Sequence, residues 1–369
     1  MDFAERFAKT DPAHLRARIA QAGPREVERA LARTARTLED FAALVSPAAA
    51  ARLDELASEA GRITRARFGP AVRLYAPVYL SNECGNLCTY CAFSVDRKLP
   101  RRTLTPAELA AEAAALAGHG IRQLLLVSGE AERIVGVPEF TAALRALRPH
   151  AARLDLEVQP LAEDDYRALH DEGLHGVVVY QETYDRAAYA RHHPRGRKAD
   201  FFHRLATPER AGRAGVRAIG VGALLGLADW RLDAWFAALH LDHLRTRYWR
   251  TRFAVSFPRI RPQAGAYAAE APVGVRDLIQ LICAFRLLDP DLDLVLSTRE
   301  PAALRDRAFR FGITTMSAGS RANPGGYATD ETSLPQFSID DERPPEAVAA
   351  MLRAAGYDPV FKDWDPALA

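Results

Sequence analysis

The chain has 369 residues, 49% hydrophobic and 26% charged, with a formal net charge of +2. This is globular composition, long enough for two domains or one large closed barrel, and no run approaches the ~20 apolar residues of a membrane span. Basic residues are almost all arginine and alternate with acidic ones, which excludes the concentrated positive stripe of a nucleic-acid binder.

The opening MDFAERFAKTD lacks the apolar core of a secretory signal, so a cytoplasmic location is expected. Apolar residues then recur three and four apart, as in VERALARTARTLEDFAALVS and AAARLDELASEAGRITRARFG, which predicts a helical N-terminal extension over residues 1–70. The pattern changes to eight short runs rich in Val, Ile and Leu: VRLYAPVYLS, RQLLLVSG, LDLEVQPL, GVVVYQET, RAIGVGALLG, RFAVSFPR, LDLVLSTR and GITTMSAG. Apolar runs separated by amphipathic helical stretches are the pattern of parallel strands covered by helices. Eight such units predict an α/β fold, a (βα)8 barrel of the TIM type over residues 71–325. The remainder, 326–369, is rich in Pro, Gly and acidic residues with one short helix at PPEAVAAMLRAAG, and is expected to be a tail packed on the barrel.

Three of the four cysteines fall in the loop after the first strand, SNECGNLCTYCAFS, as Cys84-x3-Cys88-x2-Cys91. In a reducing compartment such clustering points to metal or redox chemistry instead of disulfides. Three thiolates can hold three irons of a [4Fe-4S] cube and leave the fourth open, where S-adenosylmethionine (SAM) can chelate it and be cleaved to a 5'-deoxyadenosyl radical. A structural zinc site needs four ligands. No histidine neighbours the cluster, and Cys283, in the amphipathic stretch LIQLICAFRLL, reads as a buried thiol. A non-catalytic iron-sulfur scaffold or electron carrier is the alternative from another class, although such proteins normally ligate every iron themselves.

In a (βα)8 barrel the chemistry gathers at the C-terminal strand ends. There the sequence places Ser128-Gly129-Glu130, Gln181-Glu182-Thr183, Arg259, Arg261, Ser297-Thr298-Arg299-Glu300 and Ser317 to Ser320. Carboxylates suit an ammonium or ribose hydroxyls, and arginines suit carboxylates. Each also has a purely structural use: Glu130 can cap a helix, Arg259 and Arg299 can be ion-paired in the rim, and serines can close turns. Recurrence beside an open cluster favours function for Glu130 and Arg299. His192-His193 lies in a polar, Arg-rich loop and reads as a solvated or lid segment without an assigned role.

The segments VYLSNECGNLCTYCAFS, LLLVSGE, LEVQPL, VVYQETYD, DFFHRLATPERAGRAG, IGVGALLGL, VSFPRIRP, LSTRE, MSAGS, PGGY and the terminal KDWD span nearly the whole chain. In this order they resemble the aromatic amino acid lyase family of radical SAM enzymes, in particular its tyrosine lyases of thiazole biosynthesis. The resemblance implies a carbon-carbon lyase that splits the Cα–Cβ bond of L-tyrosine into 2-iminoacetate (dehydroglycine) and p-cresol; tryptophan or another amino acid is the alternative substrate. It implies that Cys84, Cys88 and Cys91 ligate the cluster and that SAM is met by main chain at Tyr90, by Glu130 at its ammonium, by Glu182 at its ribose and by Arg204 at its carboxylate. Tyr79, Arg299 and Ser317 take the places of the residues that hold the amino-acid substrate. Implied partners are a thiazole synthase subunit and a reducing electron donor such as flavodoxin or ferredoxin. Ser128 stands where many members have glycine. The related lyase of hydrogenase maturation carries C-terminal cysteines for a second cluster; no cysteine follows Cys283 here, so carbon monoxide and cyanide formation is not expected.

Overall fold

The eight apolar runs form eight strands in a computed structural model that describes residues 2–263, 267–329 and 335–362. They are β1 (Ala71–Ser81), β2 (Gln123–Ser128), β3 (Arg153–Glu157), β4 (Gly176–Glu182), β5 (Ala218–Ala223), β6 (Arg252–Ser256), β7 (Asp293–Leu296) and β8 (Thr315–Ser317). Each pairs in parallel with the next, and β1 pairs with both β2 and β8, so the sheet closes on itself. β2 and β5 are buried along their whole length because helices cover the outside of the barrel and side chains fill much of its inside. The architecture is the (βα)8 barrel that the sequence predicts. Asp363, Trp364 and Asp365 of the terminal KDWD lie outside the described residues.

Six helices, from Phe3–Ala8 to Leu53–Phe68, precede β1. They form a second layer over two outer helices of the barrel. Phe3 stacks on His240 of helix Trp230–Arg247 with ring centroids 3.7 Å apart, and Phe41 meets Phe285 of helix Val275–Leu288 at 4.9 Å.

After helix Pro345–Ala354 comes a ninth strand, β9 (Asp358–Val360), paired with Ala71–Arg73. β2 begins opposite Ala76, so without β9 the first residues of β1 would present an unpaired edge. This strand is not evident in the sequence: it is three residues long and contains Pro359, which only an edge strand tolerates.

The tail is also pinned by charge. Arg305 is fully buried; its guanidinium pairs with Asp341 and donates to the main-chain oxygen of Ser317. Arg343 binds the same carboxylate at 2.7 Å and Asp306 at 2.7 Å. Removing one member of a buried pair strands the other charge, at a cost of about 3–5 kcal/mol. Asp341→Ala is therefore expected to lower the free energy of urea unfolding by about that amount, and Arg343→Ala, at a part-exposed cation, by about 1 kcal/mol or less. Equal, small effects would show that the buried pair does not secure the tail. Burial alone would raise the Asp341 carboxyl, but Arg343 and Arg305 outweigh it and hold it below the usual range. Its contribution is thus present above the ordinary carboxylate pKa and lost as pH falls through the depressed one.

Candidate active site

The cysteine loop is tied to its surroundings by main-chain and guanidinium bonds. Arg101 donates to the main-chain oxygens of Asn82 (2.5 Å), Phe93 (2.9 Å) and Ser94 (2.9 Å), and the Cys88 amide donates to Ser94 Oγ at 3.1 Å. Gly129 passes directly beneath: a Cβ there would collide with the Glu83 main-chain oxygen, so the position after Ser128 admits only glycine without moving the loop. Cys88 is buried, Cys84 and Cys91 partly so. Burial pushes the Cys88 and Cys91 thiols up, so thiolates here call for a cationic partner. Cys283 lies elsewhere, fully buried on its helix with its thiol toward the Phe311 oxygen at 3.8 Å. Among the described residues no three His, Cys, Asp or Glu side chains converge as a single-ion site requires, whereas a cubane spreads its thiolates over three corners. The donor set fits a [4Fe-4S] cluster with one open iron.

A charged cradle lies beside the loop. Arg204 donates to Glu130 Oε1 at 2.8 Å, to the Tyr180 oxygen at 2.7 Å, and approaches Glu182 Oε1 at 3.5 Å. Lys198 reaches Glu182 at 2.6 Å, and Asn86 donates to Glu130 Oε2 at 2.7 Å. Burial alone would raise the Glu182 carboxyl, yet Lys198 and Arg204 outweigh it and hold it below its ordinary value. Glu182 follows a register break in β4 and has φ of +70°, a conformation that costs a non-glycine residue about 1–3 kcal/mol. The strained turn directs its carboxylate at the two cations. Glu130, Arg204, Lys198 and Cys84 line one cavity of about 490 Å³.

Two further cavities lead inward. Tyr90, Cys91, Glu182, Lys198 and Arg299 line the first, and Tyr79, Arg299, Ser317, Ser320 and Phe337 line the second, which enters the barrel. Tyr79 donates to Gln336 Oε1 at 2.8 Å, and Gln336 in turn lies 3.7 Å from the Cys91 sulfur. Arg299 is set apart from its neighbours. Arg259 is ion-paired with Glu300 and Arg261 with Asp340, the structural use weighed for rim arginines. The Arg299 guanidinium lies over the Phe337 ring, 3.4 Å from its centroid, with no carboxylate paired to it among the described residues. The Ser317 hydroxyl is engaged by Thr298, accepting from its amide at 2.9 Å, whereas the buried Ser320 hydroxyl has no partner among the described residues.

The structure thus brings together the residues singled out in the sequence, Ser320 at the end of β8 among them, and adds Asn86, Lys198, Gln336 and Phe337. Lys198 is one of only four lysines, but its loop is polar and nothing local marks it as half-buried against a carboxylate. One expectation is corrected: His192 and His193 are not solvated but each 1% exposed. His192 Nδ1 lies 2.8 Å from the Thr89 hydroxyl and His193 Nε2 lies 2.8 Å from the Tyr90 hydroxyl. Burial pushes the His193 imidazole down to about 3, so it remains neutral and buttresses the cysteine loop.

The chain is similar to known proteins along nearly its whole length. Residues 78–236 match the Radical SAM superfamily, and residues 256–358 match the Biotin and Thiamin Synthesis associated domain. The chain is 50% identical over 364 residues to the 2-iminoacetate synthase of Escherichia coli, covering 98% of this chain and 97% of that one. It is 46% identical to the 2-iminoacetate synthase of Salmonella typhimurium over the same shares. Among solved structures it resembles HydG, a maturase of the [FeFe]-hydrogenase, with a TM-score of 0.86 and 27% identity over 97% of this chain and 78% of that one. The fold is shared with methylornithine synthase at a TM-score of 0.73 and 19% identity, covering 91% and 97% of the two chains.

Proposed function

We propose, from the premise that this chain belongs to the 2-iminoacetate synthase family of radical SAM enzymes, that it cleaves the Cα–Cβ bond of L-tyrosine. The products are 2-iminoacetate and p-cresol, with 5'-deoxyadenosine and methionine formed from SAM. The observation that carries the reading is the run of cavities from the thiol loop, past a largely buried cradle of two carboxylates and two cations, to an arginine with no carboxylate paired to it among the described residues.

Cys84, Cys88 and Cys91 would hold the cluster and leave one of its irons open to SAM. When bound, this pair of cofactors supplies the 5'-deoxyadenosyl radical that removes hydrogen from the substrate amino group. Glu130 and Arg204, already paired, offer the SAM ammonium and carboxylate a preset couple of opposite charge; Glu182 faces the ribose and Tyr90 the adenine. Arg299 grips the tyrosine carboxylate, with Tyr79 and Ser317 beside it. Orientation is the protein's main contribution, because one N–H must meet the radical among several C–H bonds.

The thiamin-associated match supports passage of 2-iminoacetate to a thiazole synthase subunit; a flavodoxin or ferredoxin is our proposed electron donor. Among the described residues no helix is long and apolar enough to cross a membrane, and we place the enzyme in the cytoplasm. Reduced enzyme given SAM and L-tyrosine is expected to form 5'-deoxyadenosine, p-cresol, and glyoxylate with ammonium, the last two by hydrolysis of 2-iminoacetate. Phenylalanine, without the oxygen that shares the benzylic electron, is expected to give little or no toluene. Turnover of SAM without p-cresol would overturn the reading.

A further inference from the structure

Glu157, the last residue of β3, is a carboxylate that nothing above employs. It lines both inner cavities, and in each it shares the lining with Arg299. The rim carboxylates Glu300 and Asp340 are ion-paired, and Glu130 and Glu182 each hold a cation. By contrast, no hydrogen bond or ion pair fixes the Glu157 carboxylate among the described residues. Arg299, in the loop after β7, lines both cavities with it, Lys198 and Glu182 line the one on the cluster side, and the charge of Arg204 also acts on it. The phenols of Tyr75 and Tyr79 on β1 and of Tyr180 on β4 are its other neighbours. A half-buried carboxylate at a cavity lined by phenols and apolar side chains is costly to leave uncompleted, and the cations of the cradle already have carboxylates of their own.

Resting on the tyrosine lyase reading, we propose that Glu157 receives the substrate's α-ammonium and takes one of its protons, so that an uncharged amine faces the radical. Arg299 and Glu157 then form a clamp of opposite charges matched to a zwitterion. In the proton step one N–H bond breaks heterolytically, the proton goes to a Glu157 carboxylate oxygen, and the electron pair stays on nitrogen. No oxidant or reductant enters. The chemistry also explains the site's polarity: an ammonium carries no lone pair, so hydrogen-atom removal from it would leave a positive charge on the nitrogen radical in a barrel that already holds Arg299. Burial raises the Glu157 carboxyl to about 7, with Arg299 opposing, which suits a group that exchanges a proton near neutrality.

The test is calorimetric titration of the unreduced holoenzyme, with SAM present, by L-tyrosine and by 3-(4-hydroxyphenyl)propionate, which lacks the amine. The parent is expected to prefer tyrosine by about tenfold to a hundredfold, the span of a charge-assisted hydrogen bond. Glu157→Gln should abolish the preference by weakening tyrosine while leaving the desamino ligand within about twofold, as an isosteric amide leaves the packing alone. Iron and sulfide content should be unchanged, and Glu157→Asp should restore part of the preference. Parent affinity for tyrosine should also fall about tenfold per pH unit below about 7, where the carboxylate protonates, and this dependence should vanish in Glu157→Gln. The parent profile by itself tests the same group should the glutamine variant not fold. Equal loss for both ligands would make Glu157 a merely structural residue, and no loss for either would remove it from the site; both outcomes overturn the proposal. If the parent ignores tyrosine but binds tryptophan, the substrate reading fails alone, and tryptophan with indole-3-propionate decides on Glu157. Binding of no amino acid would sink both.

Discussion

Replacing Cys84, Cys88 or Cys91 by alanine is expected to abolish SAM cleavage and p-cresol formation, while Cys283→Ala retains both. The reason is the separation of the two kinds of thiol in the fold. The three loop cysteines stand at the open strand ends beside the cradle of Glu130, Arg204 and Lys198. Cys283 is sealed in a helix on the barrel's outside, and burial raises its thiol. Anaerobically reconstituted parent should hold about four irons and four sulfides, the content of one cubane. Each loop variant, with two thiolates left, should fall well below that, and SAM should no longer perturb the EPR signal of whatever reduced iron remains. Loss of the cluster on changing Cys283 alone would mean that a fourth protein ligand closes the cube, and the open iron on which the function rests would not exist.

How far the site can be read in the sequence depends on how local each signal is. The cysteine loop is eight residues long and needs no neighbour to be recognised, and parallel strands announce themselves as apolar runs because both their faces are covered. Glu130 and Glu182 follow from the rule that barrel chemistry sits at strand ends. Lys198 and the two histidines escape that rule. They lie in a stretch whose composition is that of a solvated loop, yet folding draws that stretch against the cysteine loop, where the Leu87 and Thr89 amides donate to the Arg195 and His192 main-chain oxygens at 2.9 and 3.2 Å, the histidines are buried and Lys198 is largely covered. Gln336 and Phe337 escape for a similar reason: they sit in a Pro-rich tail about 250 residues from Tyr79, and only folding brings them to the cavity. Glu157 is hidden differently. In LEVQPL its charge looks like the outward position of an alternating strand, yet in a barrel the position that is not covered by helices faces the interior, here a cavity.

Arg299→Lys is expected to lower tyrosine affinity by about tenfold to a hundredfold and to uncouple SAM cleavage from p-cresol formation while leaving the cluster intact. A lysine keeps the charge but loses two features visible at this position. The planar guanidinium lies 3.4 Å above the centre of the Phe337 ring, which fixes its plane, and its free donors can meet both oxygens of a carboxylate. An ammonium is a point charge on a flexible stem, so a substrate held by it alone can swing, and the amino group then meets the radical in fewer of its encounters. Tyramine, which has no carboxylate, supplies the control: its weaker binding should be the same in parent and variant. Arg259→Lys is the second control. Arg259 is bound to the fully buried Glu300, so that change should show in thermal stability and not in tyrosine affinity. Should Arg299→Lys turn over tyrosine as the parent does while Arg259→Lys does not, the carboxylate grip would belong to the β6 loop, and the clamp with Glu157 would have to be redrawn across the barrel.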